Sequence, residues 1–265
     1  MSARRAPTAL GAYTTLICAF SVAPVVIILL ESLTAANFVK FPPTGLSLRW
    51  YLEIPKRPEF VASLTTSLVV AALAAIGSTI LGTLAGLALV RYRFVGREAL
   101  QGLFLSPLSL PAIVLGIALL QFYSTFAIPR NTATLVLAHI LFTCPYTIRL
   151  VSVSLTAFDA NLERAARNLG ASAWMAFRRV TMPLIRPGMV AGLVFAFIVS
   201  FDDISVSLFL ASDRAMTLPV RVFTYIEQSS DPFITAVSSL LILIVVALAV
   251  VIEKTVGIGK LFGVR

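Results

Sequence analysis

The sequence predicts an all-α polytopic membrane protein with six transmembrane helices. Three observations lead there: charge is scarce, six apolar runs are each long enough to cross a bilayer, and basic residues collect on one side of those runs. Hydrophobic residues make up 58% of the 265 and charged residues 12%, with a mean hydropathy of +0.96. A soluble domain carries about 25% charged residues. This chain lacks the polar groups to cover a globule in water, so lipid is its expected solvent.

The elements follow in order. Arg4 and Arg5 precede an uncharged run over 6–30. A signal-peptide apolar region reaches only about 15 residues, whereas about 20 suit a span. The run is therefore expected to remain as the first transmembrane helix, over 8–30. Residues 31–59 form an external segment with Pro42, Pro43, Pro55 and Pro58. Its Trp50 and Tyr51 suit an interfacial element lying along the membrane. Further spans are expected over 60–90, 99–123, 132–155, 189–210 and 233–252. The second is overlong for about 30 Å of hydrocarbon and is expected to tilt or extend beyond it. None alternates apolar and polar residues, which argues against strands.

The net charge of +9 admits two readings, nucleic-acid binding or the positive-inside bias. With the N-terminus inside, fourteen of the 21 lysines and arginines fall inside with only four of the 12 acids. The basic excess is thus one-sided, which favours orientation and places both termini in the cytoplasm. One domain over 1–265 is expected, with 159–188 as a long cytoplasmic connection. Cys18, Cys144 and the single His139 all lie in apolar runs, so no disulfide framework, metal site or His/Cys catalytic cluster is expected.

The connection over 159–188 is polar and basic, yet patterned. Asn161 is placed to cap a short helix and Gly170 to end it. Between them Leu162, Ala165, Ala166 and Leu169 form one apolar stripe, kept low by the alanines. Ser172 is placed to cap a second short helix carrying Trp174 and Phe177. Pro183 and Pro187-Gly188 are expected to end it before the fifth span. Such a compact knob suits a hydrophobic groove on a partner. Arg164, Arg167, Arg178 and Arg179 stand ready for partner acids.

Ala165-Ala166, Gly170 and Val180-Thr181-Met182-Pro183 reproduce, in spacing, the EAA signature of bacterial ATP-binding-cassette importer permeases, which this segment resembles. One position departs: Arg164 stands first, with Glu163 one place earlier. The segments RYRFVGRE, SPLSLPAIVLG, SFDDISVSLFL and LPVRVFTYI resemble the polyamine (spermidine/putrescine) branch, its second permease subunit most closely. The likeness covers nearly the whole chain. It implies the type I importer permease fold, a bacterial inner-membrane location, a second permease, two ATPase subunits and a periplasmic binding protein. It also implies that Glu163, Arg164, Ala165, Ala166, Leu169, Gly170, Trp174 and Pro183 shape the ATPase contact. Because Arg164 replaces the glutamate, docking is expected to rest on shape and the glycine turn.

Several span residues admit two readings. Asp202 and Asp203 form an anionic patch that helps pass a cation, or are satisfied by helix ends or Arg221. Pro107 and Pro111 unwind the third span, and Pro145 the fourth, as in broken transporter helices, or only kink them. Tyr146, with Tyr123 and Phe142, offers ring faces to a cation or simply packs. His139 and Arg149 read as packed or snorkelling residues.

No phosphate-binding loop is present; the fragment over 257–260 lacks the upstream spacing and a following Ser or Thr. The chain is therefore expected to be non-catalytic and to bind no cofactor, with ATP and magnesium held by a partner. A secondary transporter or channel would carry its mechanism in one chain, often with inverted repeats. A membrane-embedded enzyme would need an acid/base or metal set, and only Asp202 and Asp203 offer titratable pairs in a span.

Overall fold

The computed structural model describes residues 8–157, 159, 161–212, 215–229 and 231–256. Arg4, Arg5 and the 257–260 fragment fall outside them. The helices are α1 (Thr8–Glu31), α2 (Arg49–Glu53), α3 (Pro58–Arg91), α4 (Arg97–Leu105), α5 (Ala112–Thr125), α6 (Thr132–Thr156), α7 (Asn161–Asn168), α8 (Ala173–Ala176), α9 (Met182–Asp202), α10 (Ser205–Leu210), α11 (Leu218–Gln228) and α12 (Phe233–Val256). Among the described residues no strand forms beyond two isolated bridges.

Five helical stretches are individually long and apolar enough to cross a bilayer, and a bent pair makes a sixth candidate. That pair is the expected third span. It is not one helix: Arg97–Leu108 and Ala112–Thr125 meet at 104°. Pro107 opens a 3₁₀ turn over Ser106–Leu108, and Pro111 stands extended at the N-cap of α5. A proline lacks the N–H a helix needs. Ser106, before Pro107, stays helical, and the span breaks at Pro111, which leaves helical geometry ahead of α5. Pro145 lies inside α6 without ending it.

The fifth span also differs from its expected limits. The helix does not stop at Pro183 and restart; the stretch from Ala173 to Asp202 is continuous. A π turn over Phe177–Thr181 joins α8 to α9, and Pro183 occupies the first turn of α9. The wider turn relieves the clash of the proline ring with the carbonyl four residues back. At the other end the span stops at Asp202, where Asp203 turns extended and α10 begins two residues later.

By internal packing the chain divides into two units, Met1–Val61 with Val222–Ala247, and Ala62–Arg221 with Leu248–Arg265. In the first, the expected interfacial aromatics face inward. Trp50 is buried, and the Tyr51 hydroxyl lies 2.7 Å from Ser32 Oγ and 2.6 Å from Ser239 Oγ. Arg57 lies 3.9 Å above the Phe233 ring and donates to the Tyr225 hydroxyl at 2.7 Å.

In the second unit α6 is the central post. Its buried Thr147 sits between Gly82 of α3 and Gly192 of α9; a Cβ at either glycine would come within 2.8 Å of Thr147. Small residues let helix backbones approach closely where lipid gives no hydrophobic drive for association. Towards one end, Val70, Leu115, Leu135, Ala138, Val206 and Leu210 close a core from α3, α5, α6 and α10. At the other end Val151, Leu155 and Ile185 pack α6 against α9. This second core anchors the 159–188 segment.

Candidate functional site: the 159–188 segment and the α9–α10 break

The short helix α7 begins at Asn161, whose backbone N–H donates to Asp159 Oδ1 at 2.9 Å. Asn161 is thus the first helical residue rather than the cap. At the other end the Gly170 N–H donates to the Arg167 carbonyl (3.0 Å) and the Ala171 N–H to the Ala166 carbonyl (3.1 Å). Gly170 has φ +91°. These paired bonds around a left-handed glycine are a Schellman closure. Ser172 Oγ then accepts from the Met175 N–H at 3.2 Å and caps α8, as the sequence predicts.

The stripe stands largely uncovered. Leu162, Ala165 and Leu169 are exposed, Leu169 to 89%, and Ala166 is half-buried. Trp174, 67% exposed, stacks on Phe177 with ring centroids 5.7 Å apart. Arg164, Arg167, Arg178, Arg179 and Pro183 are exposed as well. An isolated eight-residue helix is marginal in water, so α7 needs support, and it packs against the π turn.

Glu163 supplies that support, and its side chain is tied inward. Its Oε2 lies 2.6 Å from Arg91 Nη2 at the end of α3 and accepts from Thr181 Oγ1 at 2.7 Å. Arg91 also donates to Thr181 Oγ1 at 2.9 Å. Three elements therefore meet at one carboxylate. Partial burial pushes this carboxyl up, but hydrogen bonds from Thr181 and Arg91 and the charges of Arg91 and Arg167 outweigh burial and hold it below the ordinary glutamate range. The tie is complete at neutral pH and is lost only as pH falls through that lowered value.

Glu163→Gln should loosen α7. Hydrogen bonds to charged groups contribute about 1.5–3 kcal/mol, so amide exchange across 161–170 should accelerate by about tenfold or more. Exchange unchanged from wild type would remove the tie from the account. Sequence reading singled out Glu163 but missed Arg91 and Thr181. The signal was slight: a basic residue at a helix end, and a hydroxyl hidden inside the signature.

The second candidate site lies where α9 breaks. Asp203 is buried, and its carboxylate accepts from the Val206 and Ser207 N–H groups at 3.1 and 2.8 Å. It caps α10. His139 of α6 reinforces the break, with Nδ1 2.7 Å from Ser200 Oγ and Nε2 3.0 Å from Ser207 Oγ. Its Nε2 is 3.8 Å from Asp203 Oδ2. His139 is packed, as expected, and Ser200 and Ser207 are partners the sequence did not reveal. Arg221 instead donates to Ser63 Oγ at 3.3 Å. Among the described residues none hydrogen-bonds or pairs with Asp202, which is exposed.

Asp202 shares a face of α9 with Phe195, seven residues earlier. The Phe195 ring lies 5.2 Å from that of Tyr146, which is 6.4 Å from Phe142. Aromatic faces and one unpaired carboxylate thus occupy one side of α6 and α9. Tyr123 lies elsewhere, buried, with its hydroxyl donating to the Thr134 carbonyl at 2.8 Å.

Comparison with known proteins places this architecture. A spermidine/putrescine transport system permease protein, PotC, of Haemophilus influenzae is 30% identical over 240 residues, covering 91% of this chain and 93% of the relative. The putrescine transport system permease protein PotI of Escherichia coli is 32% identical over 230 residues, 84% of this chain and 82% of its own length. In fold, a bacterial ABC transporter involved in importing the acidic polysaccharide alginate superposes with a TM-score of 0.73 at 16% identity, over 94% of this chain and 95% of that one. Residues 78–256, which include both candidate sites, match the family described as the binding-protein-dependent transport system inner membrane component. The chain is a multi-pass inner-membrane permease and belongs to that family.

Proposed function

We propose that this permease subunit works in an ATP-driven importer of a small organic cation, a polyamine such as spermidine or putrescine. Relatives that share about 30% identity along most of the chain carry those substrates in their names. Asp202 with the Tyr146 and Phe195 rings supplies the matching chemistry, since ring faces and a carboxylate attract an ammonium group. Both termini and the 159–188 segment lie in the cytoplasm on this reading, which the charge asymmetry favours. A periplasmic binding protein delivers the substrate, and a second permease completes the path. Each permease seats on one of two ATPase subunits, which hold ATP and magnesium; this chain binds no cofactor of its own.

The observation that carries the reading is the built form of 159–188: a Schellman-closed helix with an exposed stripe, tied by Glu163 to the ends of α3 and α9. A groove that grips the stripe moves both spanning helices through one carboxylate. ATP-driven closure of the ATPases then rocks the spans and opens the path alternately to each side. The test is labelled spermidine uptake in vesicles holding the full transporter, together with copurification of the ATPase. ATP-dependent uptake and an ATPase lost on replacing Leu169 and Trp174 by aspartate support the reading. An ATPase retained by that variant, or uptake without ATP, would overturn it.

A further inference from the structure

A cleft of about 530 Å³ opens between the end of α3, α4 and the last turns of α6. Arg97, Gln101 and Leu105 line it from one face of α4, spaced four residues apart, and Arg149, Ser152 and Thr156 face them from α6. No acid is among its lining residues. Arg97 is oriented by its Nε, which donates to the Leu89 carbonyl at 2.5 Å. No described hydrogen bond engages its terminal nitrogens. Arg149 is exposed, and among the described residues no acid or acceptor pairs with it.

Arg149 lies seven residues before the end of a 25-residue spanning helix, about 10 Å inside at 1.5 Å per residue. An unpaired guanidinium at that depth is costly in hydrocarbon, and its long stem lets it reach the interface. The 104° bend turns α4 nearly across the direction of α5. A helix bent this far from its partner runs closer to the membrane plane than to its normal, and Arg97 at its start draws that end towards the headgroups. Two arginines, polar side chains and an apolar floor then meet at one depth.

We propose that this cleft binds the phosphate of an acidic phospholipid, with the glycerol and first acyl carbons over Leu105 and its apolar neighbours. Guanidinium groups match phosphate in fork geometry, and basic pockets between spans on the cytoplasmic side suit such headgroups. The apolar floor favours a lipid over free phosphate. The site needs only that α6 spans the membrane, so it stands or falls apart from the polyamine reading.

The test is native mass spectrometry of the whole transporter with phosphatidylglycerol or phosphatidylcholine, in wild type, Arg149→Gln, Arg97→Gln and Arg130→Gln. Phosphatidylglycerol should be retained by wild type and by Arg130→Gln, and weakened about fivefold in each cleft variant. Arg97→Gln, at the first turn of α4, keeps the test open if Arg149→Gln fails to assemble. Equal retention of phosphatidylcholine, or retention unchanged by both cleft variants, would overturn the proposal. So would displacement of phosphatidylglycerol by millimolar inorganic phosphate, which would assign the cleft to the free ion. Absence of retained phosphatidylglycerol from the wild-type transporter would overturn the proposal as well.

Discussion

Replacing Gly170 by valine should cut ATP-driven uptake by more than tenfold while basal ATP hydrolysis by the partner persists. The cause is local. Gly170 holds φ +91°, and nothing lies within 4 Å of the position a Cβ would take. The penalty is therefore backbone strain, about 1–2 kcal/mol for a left-handed L-residue, and more for a β-branched one. The Schellman bonds to Arg167 and Ala166 fail, and the exposed stripe loses its fixed angle to Trp174. Gly170→Asn is the discriminating control, since asparagine enters the left-handed region readily. It should restore most coupling. Valine with normal coupled uptake would show that the turn does not transmit motion. Equal loss in valine and asparagine would point to the added side chain obstructing the contact rather than to the turn.

The second large effect separates two neighbouring acids. Asp202→Asn should lower spermidine uptake about tenfold, as loss of one charge interaction of about 1.4 kcal/mol implies, with little change in thermal stability. Asp203→Ala should act the other way. It removes the cap of α10 and leaves the Val206 and Ser207 N–H groups buried without acceptors, a loss of about 1–2 kcal/mol. The melting temperature should drop, and transport should fall only in proportion to folded protein. Full uptake in Asp202→Asn would take that residue out of the cation path. An unchanged melting temperature in Asp203→Ala would undo its structural role.

These expectations show how the two sites differ in legibility. The 159–188 segment is local: Gly170, Ser172 and the stripe act within a few residues, and their spacing alone gave the closed turn and the second helix start. Pro183 misled because its effect depends on the π turn beside it, and a π turn has no short-range signature. The acid pair was ambiguous because Asp202 and Asp203 differ only in where the helix stops. That stop is set by His139, Ser200 and Ser207, which lie far apart in sequence.

The sequence by itself determined the apolar, all-helical character of the chain, the long apolar runs and the glycine-closed, serine-capped form of the 159–188 segment. Each follows from composition or from bonds spanning at most a turn or two. Only the tertiary structure decided that the third span is broken at 104°, that Glu163 ties α7 to Arg91 and Thr181, and which of the two acids is buried. Those outcomes depend on which helices lie side by side, and side-chain partners 18, 61 or 72 residues apart leave no periodicity to read.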